Sequence, residues 1–318
     1  MSVRRLSYTR SAFARRVMMS RDSLFVVIEG IELDSPFYDG ICESSATLKK
    51  AGYQIWLSQQ IREDTQTDGA SGKTAVVEHY EYFKSKGHLS FSTSSNGKNS
   101  MAFMLDRDNE DITGGRKRSK HVIYTDMCDV EAEAFAHGDN SKSLALALSL
   151  DSSTAEQLNK SLGDWIGNLA VIWRAWIEWC CIAKATGARC QVGFGRESTI
   201  NTPKYGPLDP LILASESQIV QAKARCGSTE FTRKKDLILQ KISRLHANGR
   251  AGRTVKGKWL PFYLEYLVAQ YFGSTPYAHK GFTSFVARAY LGTCDFRAEW
   301  ANYYRSRLEG LITADVAP

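Results

Sequence analysis

Four short apolar runs, each rich in β-branched or aromatic residues, mark the first 140 residues of the chain. They predict buried strands at Leu24–Ile28, Tyr53–Leu57, Met101–Leu105 and His121–Tyr124. Amphipathic stretches between and after them predict helices over 35–50, over 73–86 and from Val130 onward. Because strands alternate with helices, the pattern predicts an α/β fold with a mostly parallel sheet flanked by helices.

The pattern changes near residue 141, where helical periodicity continues but strand signals become rare. The runs LALALSL and LILQKISRLH and a tryptophan-rich segment between them all predict helices. We therefore expect a basic leader over 1–21, an α/β catalytic domain over 22–140 and a largely helical C-terminal region over 141–318. The helical region would serve dimerisation, partner docking or nucleic-acid binding.

The tryptophan-rich segment, residues 165–183, is apolar enough to need a membrane test. Arg174 and Glu178 lie at its centre, and each would cost about 2.5–3.5 kcal/mol in the middle of a bilayer. Their i,i+4 spacing would instead let them pair on one helix. The segment therefore predicts a buried helix of a soluble protein. Its helically spaced tryptophans predict core packing or an interface: Trp165, Trp173, Trp176 and Trp179.

Composition places the chain among ordinary globular proteins, with 43% hydrophobic and 24% charged residues. The seven cysteines contain no CxxC, and the six histidines are scattered, which argues against a disulfide frame or a zinc site. The N-terminus is basic but lacks the apolar core of a secretion signal. These features predict a cytoplasmic protein.

Positive charge is unevenly distributed along the chain, whose net charge is +7. Six arginines lie in the first 21 residues, and eleven Lys and Arg residues lie between Lys223 and Lys258. Such blocks suit a phosphate backbone, or they form a solvated face. Within the second block, NGRAGRTVKGKW combines glycines with four cations that would bind nucleic acid: Arg250, Arg253, Lys256 and Lys258. A plain surface loop is the alternative.

Carboxylates follow three of the four predicted strands. Glu29 follows the first, Asp106 and Asp108 the third, and a group containing Asp129 and Glu131 the fourth. The carboxyl ends of parallel strands lie at one edge of a sheet, where like charges would repel without a cation between them. Oxygen ligands favour Mg²⁺ or Mn²⁺, which serve phosphodiester chemistry. Taken alone, a DxD after a strand is also a common solvated turn.

The order of these motifs resembles the Toprim fold of topoisomerases, bacterial primases and OLD (overcoming-lysogenization-defect) nucleases. The matching features are a strand that ends in Glu-Gly and a later strand that ends in DxD, over about residues 22–136. The stretches VVIEG…DSPFY, MAFMLDRD and VIYTDMCDVEAEAF are more closely similar to a Toprim-related family that includes the effector subunit of PARIS-type antiphage systems. The resemblance implies a Toprim-like sheet.

The resemblance also implies a function and a set of site residues. Glu29 takes the position of the Toprim glutamate, Asp106 and Asp108 that of the DxD, and Asp129 and Glu131 the acidic step of OLD-type nucleases. The implied activity is Mg²⁺- or Mn²⁺-dependent cleavage of RNA such as tRNA by a toxic antiphage effector, which is controlled by an ABC-like ATPase and dimeric when active. An OLD-like DNA nuclease and a non-catalytic docking module are the alternatives.

Two details depart from familiar patterns. Asp34 follows Glu-Gly one residue later than the usual spacing, so it is either a ligand or the N-cap of the helix predicted from Ser35. The stretch GASGKT, Gly69 to Thr74, resembles a phosphate loop, but that motif requires glycine where this chain has Thr67. We therefore expect no ATP site there.

Overall fold

The computed structural model describes residues 7–64, 69–92, 98–194, 208–273 and 282–313. The chain packs as two units, and each is described by itself. The first unit contains Met1–Asp106, Lys117–Thr125 and Asp295–Pro318. The second contains Arg107–Arg116 and Asp126–Cys294. The bounds of these two units differ from those of the domain predicted over 22–140. That this domain is catalytic remains a prediction.

The first unit is built on a mixed five-stranded sheet, which confirms the predicted α/β class. Its strands are β2, β3, β5, β6 and β7, at Leu24–Ile28, Tyr53–Leu57, Ser90–Ser92, Lys98–Leu105 and Val122–Tyr124. Strand β2 pairs in parallel with β3 on one side and with β6 on the other, and the last residues of β6 pair in parallel with β7. Only β5, at the start of β6, runs antiparallel. The four predicted strands therefore all form.

Helices cover both faces of this sheet, which explains why all five residues of β2 are buried. Helices α1 (Arg10–Met19) and α4 (Gly72–Ser85) pack on the face that carries Phe25 and Phe103. Ser100 lies on the other face, and its hydroxyl donates to the carbonyl of Leu311, 2.7 Å away. Strands buried on both sides read as continuous apolar runs, as these do.

The basic leader belongs to the fold from residue 7 onward; residues 1–6 lie outside the described part of the chain. Strand β1 (Tyr8–Thr9) pairs in parallel with β4 (Ile61–Arg62). The Thr9 hydroxyl caps α1 by accepting from the Ala12 amide at 3.2 Å, and Phe13 and Val17 are fully buried in the core. The leader thus contributes apolar side chains as well as charge.

The helix predicted over 35–50 is two helices, α2 (Asp34–Glu43) and α3 (Ala46–Ala51). The break falls at Ser44 and Ser45, because the Ser45 hydroxyl accepts from the Leu48 amide at 3.1 Å and starts a new helix. Asp34 is the first residue of α2 rather than its N-cap, and the cap position, Leu33, makes no side-chain hydrogen bond. The N-cap alternative for Asp34 is therefore wrong.

The C-terminal segment returns to the first unit. Helix α15 (Asn302–Ile312) packs against β2 and β6. On α2, Phe37 is fully buried, and the centre of its ring lies 5.5 to 6.0 Å from the ring centres of Phe296, Trp300 and Tyr304. The Ser45 hydroxyl also donates to Glu309 at 2.5 Å. Residues near the end of the chain therefore complete the core around the sheet.

The described residues of the second unit form helices and no strand. These helices are α5 (Glu110–Thr113), α6 (Val130–His137), α7 (Asn140–Leu148), α8 (Ser152–Leu162), α9 (Trp165–Ile172), α10 (Arg174–Thr186), α11 (Pro210–Lys223), α12 (Ser228–Ala247), α13 (Leu260–Phe272) and α14 (Phe282–Gly292). Several begin directly after an aspartate whose carboxylate accepts a first-turn amide: Asp129, Asp139, Asp151, Asp164 and Asp209. Such caps satisfy amides that the helix itself leaves unpaired.

The tryptophan-rich segment is a broken helix in the core of the second unit. Trp165, Trp173 and Trp176 are buried, which confirms core packing for these three, and the predicted pair between Arg174 and Glu178 forms at 2.8 Å. No single described helix is long and apolar enough to cross a bilayer. The stretches Ser152–Ile172 and Arg174–Thr186 meet the length and composition criteria only together, with a bend of 48° between them.

Candidate active site

Glu29 and Asp106 lie at the carboxyl ends of adjacent parallel strands in the first unit. Glu29 follows β2 and Asp106 follows β6, and the Glu29 Oε1 atom accepts a hydrogen bond from the Asp106 amide at 3.2 Å. Both side chains are half-buried. In the order β3–β2–β6–β7, the chain adds β3 on one side of β2 and then β6 and β7 on the other side. The order of the strands therefore reverses between β2 and β6, although the strands themselves run parallel. In open α/β sheets, ligands bind outside the carboxyl ends of the strands at this reversal.

Lys73 is a third charged residue at this edge, and sequence reasoning missed it. It occupies the first turn of α4, and its ammonium group donates to the Asp106 carbonyl at 2.5 Å. The ammonium also lies 5.9 Å from the centre of the Tyr124 ring, at the end of β7. Lys73 lies in GASGKT, where the only feature that the sequence shows is an incomplete phosphate-loop motif. A cation and two carboxylates therefore share one sheet edge.

Asp34 has a role that neither of its two alternatives predicted. Its Oδ2 atom accepts from the Gly30 amide at 2.7 Å, which closes the turn that follows Glu29. The Cβ of any other residue at position 30 would lie 3.3 Å from that oxygen. Asp34 thus shapes the backbone directly after the predicted catalytic glutamate.

Asp108 belongs to the second unit, where its backbone is unusual. Asp108 and Asn109 both adopt left-handed conformations, with φ of 46° and 59°. Asp and Asn tolerate this region better than most residues, and such backbone strain concentrates at functional sites. The Asp108 carboxylate accepts from the Lys256 ammonium at 2.8 Å, and the Asn109 side-chain amide donates to the Thr254 carbonyl at 3.1 Å.

Asp129 is buried and held by backbone amides of the second unit. It caps α6 by accepting from Ala132 at 2.9 Å, and both of its oxygens lie 3.0 Å from the Gly257 amide nitrogen. Burial, aided by the negative charge of Glu131, raises the pKa of Asp129 to about 7. Glu131 is half-buried in the first turn of α6. The Asp129 carboxylate therefore has a structural task in addition to any that the sequence assigned to it.

Three of the four cations predicted to bind nucleic acid contact carboxylates of their own unit. Arg253 donates to Asp126 Oδ1 at 2.6 Å, and Arg250 lies 3.5 Å from the same carboxylate. Lys256 holds Asp108, as described above, whereas Lys258 is exposed. The neighbouring Trp259 is fully buried, its ring centre 5.1 Å from that of Trp173. Most cations of this loop therefore form ion pairs within the second unit.

The donor set determines which kind of metal ion the described residues would fit. No group of three or more Asp, Glu, His or Cys side chains among them could hold one ion. In sites for phosphoryl transfer, Mg²⁺ usually keeps several waters and takes one or two carboxylates plus phosphate oxygens of the substrate. The pair Glu29 and Asp106 fits an ion of that kind and does not fit a closed protein cage.

Comparison with protein-family models and with curated proteins finds no match for this chain. The candidate site is therefore defined by its geometry: adjacent parallel strands, a sheet edge at a reversal of strand order, and two charged side chains at hydrogen-bond distance from the backbone of Asp106.

We expect Gly257→Ala to destabilise the second unit. A Cβ at this position would lie 2.2 Å from Asp129 Oδ1 and 2.4 Å from the Ala132 amide nitrogen, so the backbone has to move. Overpacking of this kind costs about 1–3 kcal/mol. Urea unfolding of the purified variant measures the loss.

Gly310→Ala is the matched control for this substitution. Gly310 lies in α15 with nothing within 4 Å of a built Cβ, so alanine should raise stability by about 0.5–1 kcal/mol. Equal unfolding midpoints for Gly257→Ala and the wild type would contradict the close approach of Gly257 to α6.

Proposed function

We propose that this chain is a metal-dependent phosphodiesterase that cleaves nucleic acid, with RNA such as tRNA as the first choice of substrate and DNA as the second. The observation that carries the proposal is the hydrogen bond from the Asp106 amide to Glu29, which brings together the carboxyl ends of β2 and β6. Two carboxylates at the ends of adjacent strands are a donor set that suits a water-rich Mg²⁺ or Mn²⁺.

Glu29 and Asp106 are the residues that would hold the ion. When bound, the ion supplies charge stabilisation and lowers the pKa of a water molecule. Glu29 acts either as ligand or as general base toward the attacking water. The turn closed by Asp34 fixes the backbone behind Glu29, so its carboxylate is oriented before substrate binds.

The remaining predicted ligands are Asp108, Asp129 and Glu131, and for the first two, ion binding would cost existing hydrogen bonds. Asp108 holds Lys256, and Asp129 holds the amides of Ala132 and Gly257, so either residue would exchange a partner in order to bind an ion. Glu131 lies two residues after Asp129, in the first turn of α6. We keep Asp108 as a catalytic candidate because of its left-handed backbone, and Asp129 and Glu131 as supporting ones.

We extend the proposal to the Toprim-like family on the basis of motif order and of the strand order β3–β2–β6–β7. In that family the chain would be a toxic antiphage effector in the cytoplasm, dimeric when active and held inactive by an ABC-like ATPase. A nuclease without such control would damage its own cell, which favours a regulating partner.

A cleavage assay tests the proposal directly. The purified chain is incubated with total RNA and with plasmid DNA, with Mg²⁺ or with a chelator, and new ends are mapped. We expect discrete RNA fragments in Mg²⁺ alone; nicked plasmid would identify DNA as the substrate. Absence of cleavage, also after an ATPase partner and its trigger are supplied, would refute the enzyme.

A docking module without catalysis is the second candidate. The specific observation in its favour is that Asp108 and Asp129 already hold partners within the second unit. Such a module would tolerate loss of the Glu29 carboxylate and lose function when the helices of the second unit are altered. The nuclease would lose cleavage when the Glu29 carboxylate is removed.

A further inference from the structure

Lys73 and Glu29 contact the backbone of the same residue, Asp106. The Lys73 ammonium donates to the Asp106 carbonyl at 2.5 Å, whereas the Asp106 amide donates to Glu29 at 3.2 Å. One positive and one negative side chain therefore lie against the two neighbouring peptide groups at the end of β6. Both are half-buried, so part of each side chain is exposed to solvent.

A lysine at this position has the chemistry that phosphodiester cleavage needs. Negative charge grows on the phosphate oxygens as the bond breaks, and a fixed cation stabilises that charge more strongly where water is partly excluded. An ammonium group carries three N–H donors, so it can contact a carbonyl oxygen and a phosphate oxygen at once. The ammonium also lies over the Tyr124 ring, 5.9 Å from its centre, where the face of the ring attracts a cation.

We propose that Lys73 is a catalytic residue that contacts the phosphate being cleaved and neutralises its oxygens in the transition state. In this hydrolysis a water oxygen bonds to phosphorus while one P–O ester bond breaks. The attacking water releases a proton, the leaving oxygen takes one up, and Lys73 keeps its own protons. The assignment rests on the proposed nuclease function.

The test measures catalysis and binding separately. For Lys73→Met we expect kcat to fall about 100-fold, the loss typical of removing one donor to a developing negative charge, and KM to rise by a much smaller factor because one ground-state phosphate contact is lost as well. Affinity for a single-stranded oligonucleotide is then measured in chelator at several salt concentrations. Losing one phosphate contact should reduce the slope of log affinity against log salt by about 0.7.

Lys84→Met is the matched control, because Lys84 lies on the same helix with its ammonium 5.6 Å from the centre of the Tyr80 ring. It should leave kcat and the salt slope unchanged. Lys73→Gln keeps an N–H donor toward Asp106 without the charge, so it should behave like Lys73→Met. Lys73→Arg should restore the slope and part of kcat. If Lys73 only holds the backbone at Asp106, the slope of log affinity against log salt should stay unchanged in Lys73→Met, Lys73→Gln and Lys73→Arg.

The outcomes separate this inference from the proposed function. Normal cleavage and an unchanged salt slope in Lys73→Met and Lys73→Gln would overturn the role of Lys73 and leave the nuclease intact. A reduced slope with no cleavage by the wild type would support the phosphate contact and refute the nuclease. A wild type that neither binds nor cleaves nucleic acid would overturn both.

Discussion

Glu29→Gln should lower the rate of nucleic-acid cleavage by about 1,000-fold or more while the fold survives. The substitution keeps an oxygen that can accept from the Asp106 amide, so the contact between the ends of β2 and β6 is retained. What it removes is the negative charge, on which either role of Glu29, metal ligand or general base, depends. Removing a residue of this kind commonly costs several orders of magnitude in rate.

The measurement is kcat for wild type and variant on the substrate identified by end mapping, with thermal unfolding recorded in parallel. Glu32→Gln is the control, since Glu32 is exposed on the turn three residues later. We expect the control to retain activity. Full cleavage activity in Glu29→Gln at an unchanged melting temperature would remove Glu29 from the chemistry, although the protein would still be a nuclease.

Phe37→Ala should destabilise the first unit by about 3–5 kcal/mol, the usual cost of deleting a buried phenyl ring. Phe37 is fully buried, and its ring lies between α2 and the C-terminal aromatics Phe296, Trp300 and Tyr304. The cavity would therefore open at the place where the end of the chain packs against the sheet layer. We expect the C-terminal segment to loosen first.

Urea unfolding measures this loss, and hydrogen exchange of residues 295–313 reports where it is felt. Phe285→Ala is the control, because Phe285 is 53% exposed and its removal leaves little cavity. A loss below about 1 kcal/mol in Phe37→Ala would show that the aromatic cluster does not anchor the C-terminal segment.

The strands were predictable because a strand that is buried on both faces has a simple sequence pattern. Leu24–Ile28 and Met101–Leu105 are unbroken apolar runs, which is what a strand covered by helices on two sides requires. The carboxylate directly after each of these two runs was predictable in the same way. In parallel strands the residues that follow the last apolar position reach one sheet edge, as Glu29 and Asp106 do.

Other features depend on contacts between residues far apart in the chain. Lys73 reaches Asp106 across 33 residues, and Lys256 reaches Asp108 across 148. The sequence predicts that the basic loop containing Lys256 is a phosphate-binding surface. It shows the charged residues of the loop but not the carboxylates that pair with them in the fold. The break between α2 and α3 depends on the hydrogen bond from the Leu48 amide to the Ser45 hydroxyl, which helical periodicity does not predict.

By itself, the sequence determined the α/β class, the four parallel strands and the acidic residues that follow three of them, because these depend on short apolar runs and on the residues directly after them. Only the tertiary structure decided that α15 closes the core beside Phe37, that Asp129 serves the amides of Ala132 and Gly257, and that Lys73 lies beside Asp106. Each of these is a long-range contact or a choice between competing hydrogen-bond partners, and its free energy depends on how the whole chain packs.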